Sequence, residues 1–109
     1  MTKAMSKAVA SQTKVTNTVA YEVSEQLRTP EEMAAYLDAW LEEAPEDATG
    51  IARALGDIAR AKGMTQVARD AGLSRESLYK ALGENGNPTF ATVLKVARAL
   101  GVRFHAQVA

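Results

Sequence analysis

Arg75, Glu76, Tyr79 and Lys80 lie within seven residues of a chain segment that opens at Ser74. Ser74 is a residue type that caps helices, so Arg75 and Glu76 stand in the first helical turn. Unpaired backbone N–H groups and the helix dipole favour an anion such as a phosphate there. Leu78 and Leu82, four residues apart, must face a core, which leaves Arg75, Glu76, Tyr79 and Lys80 outward. An arginine fork matches guanine O6 and N7, and a glutamate accepts from the cytosine amino group. Each good bidentate contact is worth about 1–3 kcal/mol of discrimination. Ser77 stands beside this set and can touch a phosphate, a contact that positions without specifying. Together this is the chemistry of reading a DNA duplex.

Such a helix must be held against the groove, and the residues before it have that layout. The stretch 64–82, MTQVARDAGLSRESLYKAL, reads as a short helix, a tight turn at Gly72-Leu73 and a second helix, a helix-turn-helix. Ala68 is small enough for the helix crossing, Gly72 permits a left-handed turn, and Leu73 plugs the turn into the core. Arg69, Gln66, Lys62, Lys95 and Arg98 are candidates for contacts to the DNA backbone. The Ala-x3-Gly-Leu-Ser-x3-Leu spacing resembles the Cro/C1-type repressor motif. In that motif the first helix often starts with Thr-Gln, the Gln lying beside a phosphate. Here Thr65-Gln66 falls close to Ala68, so that start is shortened and Met64 takes the usual Gln register.

The flanking segments predict a helical bundle. Residues 1–18 are rich in Ser, Thr, Lys and Ala and read as a disordered tail. Val19, Tyr21 and Val23 give a short strand pattern over 19–24. Thr29-Pro30-Glu31-Glu32 is a helix start with a capping box, and Met33, Tyr36, Leu37, Trp40, Leu41 and Ala44 form its apolar stripe. Asp47 caps a helix over about 48–62 with Ile51, Leu55, Ile58 and Ala59 inward. Gly56 within it allows close approach of another helix, and Gly63 stops it. Thr65 is read as the cap of the short helix that follows. Thr89 caps a last helix, with Phe90, Val93, Leu94, Ala97 and Leu100 expected inward. Val102, Phe104, Ala106 and Val108 then alternate on one face of an expected strand. That strand needs a partner, either residues 19–24 or a second chain. The expected fold is all-α: a five-helix Cro/C1-type, lambda-repressor-like DNA-binding domain with a short C-terminal β-strand used in dimerisation.

The zero net charge of the 109 residues hides an asymmetry. Residues 48–109 carry nine Lys/Arg and four acids, whereas residues 1–47 carry four bases and nine acids, all nine between Glu22 and Asp47. Three segments follow: the tail 1–18, an acidic segment 19–47, and a basic helix-turn-helix domain 48–109. Opposite charges on the last two suggest partners of opposite charge. No cysteine is present and His105 is the single histidine, so thiolate and multi-histidine metal sites are excluded and no metal or cofactor is expected. The absence of a Gly-rich phosphate loop or a nucleophile–base pair argues against an enzyme. Neither a signal peptide nor a membrane span is read, so the expected location is the cytoplasm.

The segment from Ala54 to Ala106, above all GLSRESLYKAL followed by GNPTFATVLKVARALG, resembles the addiction-module antidote family, the HigA-like antitoxins. TPEEMAAYLDAWLEEA, residues 29–44, resembles the acidic helix that precedes their DNA-binding domain. The resemblance covers about residues 20–106. It implies binding and neutralisation of a small basic toxin of the RelE/ParE superfamily, often a HigB-like ribonuclease, and repression of the protein's own operon by a homodimer on a palindromic operator. Glu31, Glu32, Asp38, Glu42 and Glu43 would then face the toxin, with Trp40 or Tyr36 as an aromatic anchor or as plain core. The alternative is a stand-alone repressor with no toxin partner.

Overall fold

The computed structural model describes residues 27–109. Five helices follow one another: α1 (Pro30–Glu43), α2 (Ala48–Lys62), α3 (Met64–Ala71), α4 (Arg75–Leu82) and α5 (Phe90–Leu100). α1 packs on α2, α2 meets α3, α4 and α5, and α3 packs against both α4 and α5.

Local chemistry sets most helix ends. Thr29 accepts from the Glu32 amide at 3.1 Å while the Glu32 carboxylate accepts from the Arg28 and Thr29 amides, both at 3.0 Å. This is the reciprocal capping box, with Pro30 at the first turn. Asp47 Oδ1 accepts from the Gly50 amide at 2.9 Å, and Thr89 caps α5 through the Thr92 amide at 3.1 Å. α3 departs from expectation. It starts at Met64, and Thr65 lies inside it. Gly63, at φ +117°, both closes α2 and precedes α3, so no side chain caps α3. A helix restarting one residue after another ends leaves no room for an extended N-cap with a hydroxyl. Gly72, at φ +72°, turns the chain out of α3, and its left-handed backbone suits glycine.

The core is one cluster. Leu27, Met33, Leu37 and Trp40 meet Leu55, Ile58, Val67, Ala68, Leu78, Leu82, Val96 and Leu100 within it. α1 therefore shares its apolar face with the helices that follow. Gly56 has the role its position suggested. A Cβ there would lie 2.9 Å from the Leu82 carbonyl oxygen, so α4 ends directly against α2. Gly50 similarly makes room for the Trp40 ring, whose Cζ3 would be 2.5 Å from a Cβ.

Two expectations need correction. On α5 the inward residues are Val96, Ala97, Ala99 and Leu100, with Val93 partly covered. Phe90 is 72% exposed and Leu94 45% exposed. The helix is rotated so that Val96, Ala97, Ala99 and Leu100 are covered while the Phe90 and Leu94 side faces outward. The C-terminal strand does not form, and the described residues contain no strand. Val102 and Phe104 pack partly against the core, while Ala106 and Val108 are exposed. The Val102 amide donates to the Ala97 carbonyl at 2.9 Å, closing α5 rather than opening a ladder. The segment 19–24, the intrachain partner considered for it, lies outside the described residues. Without a partner strand the alternation of 102–108 has nothing to pair with.

Candidate nucleic-acid interface

α4 presents its polar side as its register demands. Leu78 and Leu82 are buried, and Arg75, Glu76, Ser77, Tyr79 and Lys80 are exposed. Ser74 Oγ accepts from the Ser77 amide at 3.0 Å and donates to Ser77 Oγ at 2.8 Å, so Ser77 belongs to the cap. Arg75 lies back along the helix toward Tyr79. Its Cζ is 5.3 Å from the ring centroid, and Nη2 donates to the Tyr79 hydroxyl at 3.3 Å.

Beside this helix runs a shallow cleft of about 440 Å³ lined by Arg60, Gly63, Met64, Thr65, Gln66, Arg75 and Tyr79. It joins the end of α2, the uncapped start of α3 and the first turns of α4. Of the sequence-derived candidates, Gln66, Arg75 and Tyr79 come together here. Gln66 Nε2 donates to Asp70 Oδ1 at 2.9 Å, one turn along α3, so one of its amide hydrogens is already committed. Arg69, Glu76, Ser77 and Lys80 are exposed but do not line the cleft. Arg60 and Thr65 do, and sequence reasoning assigned neither to DNA. The available signal was Arg60 as a base in the last turn of α2, three residues before Gly63. Lys62 drew attention in its place. Lys62 Nζ donates to the Ala99 carbonyl at 2.8 Å, tying α2 to the end of α5, where a cation complements the helix dipole. Two cationic forks, two hydroxyls and an amide around an open cleft can hold an anionic oxygen by charge-assisted hydrogen bonds.

A polar chain connects this cleft to α1. The Tyr36 hydroxyl donates to Asp57 Oδ2 at 2.9 Å, and Arg60 Nη1 reaches Asp57 Oδ1 at 3.3 Å. Burial pushes the Asp57 carboxyl above its ordinary value. The Tyr36 hydrogen bond and the Arg60 and Arg53 charges oppose that shift without cancelling it.

On α1, the structure separates the acids. Glu31, Asp38 and Glu42 are exposed on a helix that contains no Lys or Arg. Glu32 is occupied by the capping box, and Glu43 is partly covered. Trp40 is 4% exposed and lies in the core, and Tyr36 is half-buried, facing Asp57. No group of three or more His, Cys, Asp or Glu able to hold a metal occurs among the described residues. No helix among them is long and apolar enough to cross a membrane.

A family model described as "probable addiction module antidote protein" matches residues 17–108. An uncharacterized protein of Haemophilus influenzae Rd is 54% identical over 87 residues, covering 80% of this chain and 88% of that protein. No solved structure matches the chain.

Proposed function

Because the chain belongs to the family of probable addiction module antidote proteins, we propose that it is the antitoxin of a type II toxin–antitoxin module. In this reading it binds and neutralises a small basic toxin of the RelE/ParE superfamily, HigB-like in kind. It also represses its own operon through α3 and α4, without catalysis and in the cytoplasm. The family match carries the antitoxin half. The outward set Arg75, Glu76, Tyr79 and Lys80, fixed by the buried Leu78 and Leu82, supports the DNA half. An eight-residue α4 covers only a few base pairs. A homodimer with two such helices about 34 Å apart would read a palindromic operator. On the toxin side the exposed Glu31, Asp38 and Glu42 of α1 complement a basic RNA-cleaving protein, which speeds association more than it sets affinity.

The test is co-expression with the small basic protein encoded beside the gene, followed by co-purification and a gel shift on the gene's own promoter. The expected result is a complex that protects cells from the toxin and a shift that an unrelated duplex does not give. Replacing Glu31, Asp38 and Glu42 by Lys should slow toxin association. Co-purification with no neighbour, alongside a normal gel shift, would reduce the protein to a stand-alone repressor. Unchanged toxin association in the triple variant would remove α1 from the toxin surface.

A further inference from the structure

We propose that Tyr79 is a positioning residue that orients the Arg75 guanidinium to read one guanine in each half-site. The inference rests on the DNA reading above. Arg75 and Tyr79 are four residues apart on one face of α4, the spacing at which helical side chains meet. Two contacts at different atoms join them. The guanidinium carbon lies 5.3 Å from the ring centroid, inside the range of about 6 Å for a cation over an aromatic face. Nη2 also donates to the phenol oxygen at 3.3 Å. The ring contact sets where the guanidinium sits, and the hydrogen bond sets which edge turns back to the helix.

Tyr79 is itself steadied. It is 43% exposed, so more than half of it is covered, and it shares the cleft wall with Arg60 and Met64. Donor counting leaves the pair able to work. Arg75 commits one of five N–H groups to Tyr79, and a bidentate contact to guanine O6 and N7 needs two of the rest. The Tyr79 oxygen accepts from Arg75 and keeps its own proton, which can go to the adjacent phosphate. A surface arginine that is already ordered loses less freedom when it docks, so its contribution appears as discrimination between bases. The general attraction of a positive charge to DNA does not depend on this ordering.

The experiment uses the full-length chain and fluorescence anisotropy with a duplex from the stretch upstream of its own gene. Each guanine is replaced in turn by 7-deazaguanine, which deletes the N7 acceptor. The wild type should lose roughly fivefold or more at one guanine per half-site. R75K, which keeps the charge and loses the fork, should lose most of that difference. Y79A should bind the natural and 7-deaza duplexes nearly alike, and Y79F should fall between Y79A and the wild type. The slope of log affinity against log salt should stay as in the wild type for both Tyr79 variants, because no charge is removed, and affinity for an unrelated duplex should fall far less than the discrimination at guanine, which loss of fold would not allow. Should Y79A fail to fold, Y79F carries the comparison. Tyr79 variants that keep the wild-type ratio between natural and 7-deaza duplexes overturn the proposal, as does a wild type indifferent to every guanine N7. If the wild type prefers its own promoter no more than an unrelated duplex, the DNA reading itself fails.

Discussion

Replacing Gly56 by alanine sets two known effects of opposite sign against each other. In an exposed helix interior the change stabilises by about 1 kcal/mol, because glycine has more backbone freedom to lose. At position 56 the added Cβ would stand 2.9 Å from the Leu82 carbonyl oxygen and 3.2 Å from Arg60 Nη1. Arg60 is half-exposed and can swing away. The Leu82 oxygen is backbone at the end of α4, and Leu82 is itself buried, so relief requires α4 to move away from α2. Overpacking of this kind costs about 1–3 kcal/mol. Less the propensity gain, G56A should lose about 1 kcal/mol, or about 4–8 °C in Tm for a domain of this size. Thermal unfolding followed by circular dichroism measures it. A35G, at an exposed position of α1, calibrates the propensity effect by losing about 1 kcal/mol. A Tm for G56A above the wild type would show that α4 does not approach α2 so closely, and would refute the reasoning.

The remaining predictions concern single side chains. Because burial raises the Asp57 carboxyl above its ordinary value, its contribution to stability is complete below the unfolded pKa and declines as pH climbs through the folded one. D57N keeps an acceptor for Tyr36 and should gain on the wild type in denaturant unfolding as pH rises from about 4, near the usual aspartate value, to 7. A variant that loses ground over that range contradicts it. K62M removes the bond to Ala99 and should cost about 0.5–1.5 kcal/mol in urea unfolding while leaving unchanged the salt slope of the operator binding proposed above. A slope smaller by about one would return Lys62 to the DNA backbone. F90S should change stability by less than about 0.5 kcal/mol, since Phe90 is 72% exposed, and a loss of 2 kcal/mol or more in the same assay would put it back in the core. L78A removes a side chain that is 0% exposed and should cost about 2–5 kcal/mol in thermal or urea unfolding.

What the sequence made legible follows the range of the interactions involved. The caps at Thr29, Asp47, Ser74 and Thr89 are contacts between residues three apart, and all four occur, while the cap read at Thr65 fails because Gly63 already joins α2 to α3. The stop at Gly63 and the turn at Gly72 are equally local. Helix faces are less certain because several rotations satisfy one apolar pattern. α5 carries Phe90, Val93, Leu94, Val96, Ala97, Ala99 and Leu100, which is apolar nearly all round, so period alone cannot choose the buried side. Packing against α2 and α3 chooses it, which is a tertiary contact. The cleft was legible in part. Gln66, Arg75 and Tyr79 lie in or beside one motif, whereas Arg60 arrives from the end of α2, and only the angle between helices brings it to Arg75.

The C-terminal segment shows where a sequence pattern stops being a statement about one chain. Helix hydrogen bonds close within four residues, so a helical pattern carries its own partners. A strand's hydrogen bonds all go elsewhere, so alternation at Val102, Phe104, Ala106 and Val108 specifies a face but supplies no ladder. Residues 102 and 104 use that face on the core, close enough to Gly101 to be steered by the end of α5, while Val108 is 97% exposed. The same distinction holds for α1. Its capping box decides that Glu32 turns inward to the backbone, because that bond is local. Glu31, Asp38 and Glu42 are left outward by the burial of Met33, Leu37 and Trp40.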